Sequence, residues 1–287
     1  MIIVRLKGGQ GNQMFQYAAA RAFSNEKLIH IDVSFLNNNQ LESGTFTPRK
    51  FELGIFKNLE INSNNNSFFL KIREENIFFR LFKKVLKRLS LLKYIDDDNI
   101  KNELEKRQNY STYFLNGYFQ NEAYFTPLRE KLLQEFAFPE LSILSKNIKK
   151  KILKTKHSIS LHVRRGDYLK PENGLKHGIL PISYYQQAIA HFNAILKEPN
   201  YFIFSDDLDW CEENLSFIES KTFVKTSGEP WEEMNLMSLC KYQIIANSSF
   251  SWWAAWLNNS ADKIVIAPKK WFLNTETDII PNEWITL

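Results

Sequence analysis

Short β-branched runs alternate with stretches of helical period along most of the chain. Residues 2–6 form the first such run, residues 8–11 read Gly-Gly-Gln-Gly, a helical stretch follows from about Asn12 to Ser24, and 28–33 is a second run. Strand, glycine loop, helix and strand in that order predict the opening of a parallel α/β sheet. Residues 34–66, rich in Asn, Ser and Gly, read as loop, with a further strand at 113–118 and a helix over 121–135. The second half alternates regularly. Strands are predicted at 158–164, 200–204, 222–225, 242–246 and 263–267, and helices at 182–197, 208–215, 231–240 and 250–258. Such a βαβ series predicts a second doubly wound sheet. Phe138-Pro139 and a lysine-rich stretch (Lys146, Lys149, Lys150, Lys151, Lys154, Lys156) punctuate the chain. The expected division is therefore two Rossmann-like domains, 1–155 and 156–287, facing a cleft. Open parallel sheets bind ligands beyond the carboxyl ends of their strands.

Composition narrows the class without fixing it. The 287 residues carry 44% hydrophobic and 24% charged side chains, ordinary for a globular protein with two cores. A net charge of +5 suits an anionic ligand or membrane surface and is too small to argue for nucleic acid. Cys211 and Cys240 show neither zinc-ligand nor disulfide-framework spacing. The first residues do not resemble a signal peptide, and apolar runs fall short of the ~18 residues of a membrane span. These features predict a cytoplasmic protein. Between Phe68 and Tyr94, apolar residues alternate with Arg80, Lys83, Lys84, Lys87 and Arg88. That pattern fits first a helix packed on the N-terminal core with a solvated cationic face, and second one lying on a membrane surface over 71–93.

Candidate chemistry collects where predicted strands end. His162-Val163-Arg164-Arg165-Gly166-Asp167 closes one strand. Guanidinium forks there match a diphosphate and stabilise a leaving group that gains charge. A salt-bridged turn is the plainer reading. The loop containing Gly9, Gly11 and Asn12 leads into a helix start that favours an anion, though its spacing is not that of the familiar phosphate loops. Ser205, Asp206 and Asp207 suit nucleobase, ribose or helix-cap roles, and Asp207 with Asp209 also has the spacing of a metal-binding DxD. Asn247, Ser248, Ser249 and Phe250 open another helix, where hydroxyls and free N–H groups form an anion site. Glu229 and Glu232 are candidate partners for sugar hydroxyls, or favourable charges in a first helical turn.

Three separated segments resemble the bacterial α-1,2-fucosyltransferases of glycosyltransferase family 11. They are the run from Gly8 to Ala18, the His162–Asp167 box, and the stretch from Asn235 through Asn247-Ser248-Ser249-Phe250-Ser251-Trp252-Trp253. The likeness spans residue 2 to about 270. It implies a GT-B fold, GDP-fucose as donor, inversion at the anomeric carbon and no metal or other cofactor. It also implies a galactose-containing acceptor, such as a lipid-linked O-antigen or capsular unit. By the same resemblance Arg164 contacts the diphosphate, Asp206 or Asp207 the guanine, and Ser248, Ser249 and Phe250 the diphosphate or ribose. Asn12 faces the sugar, by likeness to the protein O-fucosyltransferases. For the proton acceptor Asp167 stands first and His162 second, with a base-free reaction driven by Arg164 the third option.

Overall fold

The computed structural model describes residues 1–24, 28–39, 47–62, 84–86, 88–89, 91–106, 110–169, 174–175 and 177–287, apart from the side chain of Asp167. The chain divides into two compact units. One comprises Met1–Leu41 and Pro48–Ala137; the body of the other is Phe138–Leu287.

The first unit carries β1 (Ile2–Arg5), α1 (Gln10–Ser24), β2 (Ile29–Asp32), α2 (Ser34–Asn38), β3 (Ile61–Asn62), β4 (Leu92–Ile95), α3 (Ile100–Lys106), β5 (Thr112–Leu115) and α4 (Arg129–Glu135). Its strands pair in the order β3-β2-β1-β5-β4, all parallel. Helix α1 is almost wholly buried and lies against β1, so its small residues Ala18, Ala19 and Ala20 permit close approach to the sheet. The predicted helix over 121–135 is instead two 3-10 turns, Glu122–Tyr124 and Thr126–Leu128, followed by α4. Pro127 supplies no backbone donor and ends any continuous helix there.

The second unit carries α5 (Ile143–Lys154), β6 (Ser158–Val163), α6 (Ile182–Ile195), β7 (Asn200–Ser205), α7 (Leu208–Asn214), β8 (Lys221–Phe223), α8 (Pro230–Leu239), β9 (Tyr242–Ile244), α9 (Ser249–Leu257), β10 (Val265–Ala267) and β11 (Ile285–Thr286). The sheet order is β11-β10-β9-β6-β7-β8. Counted within the unit this is 3-2-1-4-5-6, the doubly wound nucleotide-binding order, with its switch point between β6 and β9. Every residue of β6 is buried, as befits a central strand covered on both faces.

The unit boundary falls at 137/138 rather than 155/156, because α5 is part of the second unit. Ser142 caps α5, its hydroxyl accepting from the Ser145 N–H at 3.3 Å, and Lys151 donates to Thr222 Oγ1 at 2.7 Å. Most of the 71–93 segment lies outside the described residues; Leu92 and Lys93 open β4. Among the described residues no helix is long and apolar enough to cross a membrane.

Indole rings fill the underside of α9. Trp252 and Trp253 are fully buried with ring centroids 5.1 Å apart, and Trp252 also packs on Trp256 and Trp284. The Trp252 indole N–H donates to the Ile279 carbonyl at 2.7 Å. Trp253 and Trp256 are likewise core residues.

Candidate active site

In the second unit, parallel pairing sets Val163 of β6 opposite Ser205 of β7, so the turns that follow the two strands meet. Arg164 Nη1 lies 2.9 Å from Asp206 Oδ2, and the guanidinium sits 5.8 Å from the Tyr168 ring centre. Arg165 donates its backbone N–H to Asp206 Oδ1 at 2.9 Å and its Nε to Asp207 Oδ2 at 3.0 Å, and its guanidinium covers the Trp210 ring at 4.3 Å. A Cβ on Gly166 would stand 2.7 Å from Asp206 Oδ2, so any other residue there would displace the carboxylate that holds both arginines.

Asp207 is also the N-cap of α7, accepting from the Trp210 N–H at 3.2 Å, and its own N–H donates to Ser205 Oγ at 2.9 Å. Ser205 and Asp207 are thus committed to the turn and to Arg165. The Asp207 and Asp209 pair is accordingly split, one carboxylate capping and pairing, the other exposed in the first turn of α7. Among the described residues no cluster of three or more His, Cys, Asp or Glu side chains could hold a metal.

His162 ends inside the protein, 4% exposed, with its ring centre 6.0 Å from that of Phe250. Burial, with Arg164 beside it, holds its pKa down at about 4, against the opposing pull of Asp206. Its Nδ1 is buried and lacks a hydrogen-bond partner among the described residues. A neutral imidazole so weakly basic is a poor proton acceptor. His162 therefore stands behind Asp167 as a proposed proton acceptor.

On the other side of the switch point, Ser248 caps α9, its hydroxyl accepting from the Phe250 N–H at 3.4 Å; Ser249 and Phe250 are half-buried in the first turn. Asn247 is 1% exposed, and its amide donates to the carbonyls of His177, Gly178 and Trp271. Its amide nitrogen clamps the loop, while its Oδ1 is buried without a hydrogen-bond partner among the described residues.

The acidic start of α8 divides in two. Glu232, 2% exposed, accepts from the Ser142 N–H (2.6 Å) and from the hydroxyls of Ser142 (3.0 Å), Ser145 (2.7 Å) and Ser227 (2.7 Å). Burial opposes its charge, but these four donors prevail and hold its pKa at about 2. Glu232 is therefore a brace for α5 rather than a sugar-binding group. Glu229 is exposed at the position before the helix. The neighbour that sequence reasoning passed over is Glu233. Burial pushes its carboxyl up to about 7; a 3.3 Å hydrogen bond from Thr226 opposes this, the charge of Asp206 adds to it, and that of Arg164 opposes it.

In the first unit, the glycine loop follows β1. Gly8 has φ +73, and a Cβ there would collide with the side chain of Asn12. Gln13, fully buried, donates to the carbonyls of Gly8 (2.9 Å) and Lys50 (2.8 Å) and accepts from the Glu52 N–H (2.9 Å). Gln16 accepts from the Lys7 N–H at 3.0 Å and donates to the Gly117 carbonyl at 3.1 Å, tying the exits of β1 and β5. Asn12 Oδ1 accepts from Gln120 at 2.8 Å. Gly9 lies beside Arg49 and Glu52, and Gly11 is buried in the first turn of α1. The sequence signal for Gln13 and Gln16 is their spacing of three within the motif, which puts them on one helix face.

Two parallel α/β units, the second with nucleotide-binding strand order and arginines at its switch point, define a glycosyltransferase fold of the GT-B type. The model of Glycosyl transferase family 11 matches residues 1–287, and the chain belongs to that family. An alpha-1,2-colitosyltransferase of Escherichia coli is 33% identical over 307 residues, covering 100% of this chain and 99% of that protein. The O-antigen biosynthesis glycosyltransferase WbnK of Escherichia coli is 34% identical over 309 residues, covering 98% and 99%. Galactoside alpha-(1,2)-fucosyltransferase 1 of Homo sapiens is 27% identical over 154 residues, covering 50% of this chain and 42% of that one. The fold is shared with fucosyltransferase NodZ from Bradyrhizobium (14% identity, TM-score 0.50, 88% of this chain and 90% of that one). It is also shared with a FUT1 variant of Arabidopsis thaliana in complex with GDP (12%, TM-score 0.53, 93% and 70%).

Proposed function

We propose that this enzyme transfers L-fucose from GDP-fucose to the 2-hydroxyl of a galactoside, with inversion and without a metal, in building an O-antigen or related repeat unit. One observation carries the donor half. The Arg164 guanidinium stands at the switch point of a 3-2-1-4-5-6 sheet, where the hydroxyl-capped start of α9 also opens. As the bond from fucose C1 to the β-phosphate oxygen breaks, its electron pair leaves with GDP. Arg164 would stabilise that charge through two parallel N–H donors, while the acceptor oxygen bonds to C1 from the opposite face. The acceptor's proton goes to a carboxylate or to water. Asp167, at the head of the single turn Asp167–Leu169, remains the proposed acceptor of that proton.

The galactoside acceptor and the O-antigen setting are supported by the names of the full-length and half-length relatives. The first of these names also favours a second reading of the donor, colitose in place of fucose. Colitose is fucose without its 3-hydroxyl, so the two donors differ by one hydrogen-bonding group. Calorimetric titration with GDP, with and without EDTA and against UDP, tests the nucleotide and the metal. Micromolar GDP binding indifferent to EDTA is expected, and a requirement for Mn²⁺ would sink the proposal. Turnover of GDP-fucose against GDP-colitose, with product linkage read by NMR, decides the sugar. Pelleting with vesicles tests a peripheral membrane association.

A further inference from the structure

The carboxylates first considered for guanine are already occupied. Asp207 caps α7 and pairs with Arg165, and Asp206 holds Arg164 and the Arg165 N–H. Glu232 is enclosed by four donors. Glu233 differs from all of them. Its carboxyl keeps one long hydrogen bond, at 3.3 Å from Thr226, among the described residues. It stands in the first turn of α8, the crossover between β8 and β9, and so at the carboxyl ends of the strands. It is close enough to Asp206 and Arg164 to feel both charges. A buried polar atom near the same two charges has no partner among the described residues: the Nδ1 of His162, beside the Phe250 ring.

We propose that Glu233 is the residue that reads the donor's base, its two carboxylate oxygens accepting from the N1–H and the 2-amino group of guanine. This inference rests on the GDP reading of the site and deepens it. Guanine offers two parallel donors on one edge, and a carboxylate offers two acceptors at matching separation. Adenine and the pyrimidines present no such pair. Burial that keeps the empty carboxyl near neutrality also removes water that would otherwise compete for it.

The test compares GDP with IDP, which lacks the 2-amino group, by calorimetry on the full chain. Wild type is expected to prefer GDP by about 10-fold or more, the worth of a hydrogen bond to a charged group. In Glu233→Ala and in the isosteric Glu233→Gln, that preference should shrink toward unity while binding of IDP changes less than binding of GDP. Thermal melting of both variants shows whether the fold is kept. If the variants fold and retain the wild-type GDP to IDP ratio, Glu233 is not the reader, although GDP remains the ligand. If wild type does not bind GDP, the donor reading itself fails. If Glu233→Ala does not fold, Glu233→Gln alone decides, since it keeps the side-chain volume and the Thr226 hydrogen bond.

Discussion

The glycine loop after β1 of the first sheet is held by neutral amides; the turns after β6 and β7 of the second are held by ions. Gln13 and Gln16 bind the glycine loop to the 50–52 segment and to the exit of β5 through backbone groups, without formal charge. Arg164 and Arg165 bind the two turns of the second unit through Asp206 and Asp207. Both devices position a loop at a switch point, but they respond differently to a ligand. An amide clamp between backbone groups is already satisfied, so it fixes shape. An arginine paired with a partly exposed aspartate keeps its charge at the site, and an incoming diphosphate can compete for it. The glycine loop is thus fixed in shape, and the β6 and β7 turns are held by charge.

The comparison breaks most visibly at Arg164. Arg164→Lys keeps the charge and loses the planar fork, and turnover of GDP-fucose should fall by roughly 10²-fold or more. Near-normal kcat would remove Arg164 from the leaving group. Next in size is Glu232→Ala, which leaves buried donors on α5 and the 227 loop unsatisfied. A loss of about 3 kcal/mol in the second unit is expected by denaturant unfolding, with the GDP affinity of the folded fraction unchanged. Gln13→Ala strips two carbonyls and an N–H in the first unit and should cost about 2 kcal/mol, independent of salt between low and high ionic strength. GDP binding should weaken as salt rises, because the charged site is partly exposed.

The smallest effects lie in the pH dependence, where His162 and Glu233 oppose each other. The folded pKa of His162, about 4, lies below its ordinary 6.5, so its contribution to stability is complete above 6.5 and is lost as pH falls toward 4. Glu233, raised from 4.5 to about 7, contributes stability that is complete below 4.5 and is lost as pH rises through 7. Between pH 4.5 and 6.5 the slopes partly cancel. In Glu233→Gln the melting temperature should therefore climb more steeply with pH across that window than in wild type; parallel curves would show that Glu233 does not titrate there. Affinity for GDP should rise with pH up to about 7, since Glu233 must lose its proton to accept from guanine.

Much of this was legible in the sequence. The regular alternation of the second half reveals its parallel sheet, and the motif at His162 to Asp167 marks a strand end that becomes the site. What escaped did so for physical reasons. Helix α5 has little apolar face, burying chiefly Ser145 and Ile152, so its lysines resemble a linker and the unit begins earlier than the pattern suggests. Strand β11 is two residues long, and β4 reads Leu-Lys-Tyr-Ile beside a basic stretch. The pairing of Arg164 with Asp206 spans more than forty residues and depends on the β6–β7 register, which no local pattern encodes. Glu232 and Glu233 are adjacent in a first helical turn, where composition favours any acid. Only packing separates one held at about 2 from one raised to about 7.

The indole cluster under α9 gives the protein an optical signature. Trp252 and Trp253 are shielded from water, and Trp252 lies nearly parallel to Trp256 with ring planes 12° apart. Their electronic transitions are close enough to couple, so the folded second unit should show strong near-ultraviolet circular dichroism and blue-shifted emission. Because the helix that carries these rings begins at Ser249, a ligand that seats on its first turn perturbs a chromophore only a few residues away. Nucleotide binding can then be followed in the unlabelled enzyme by its own light.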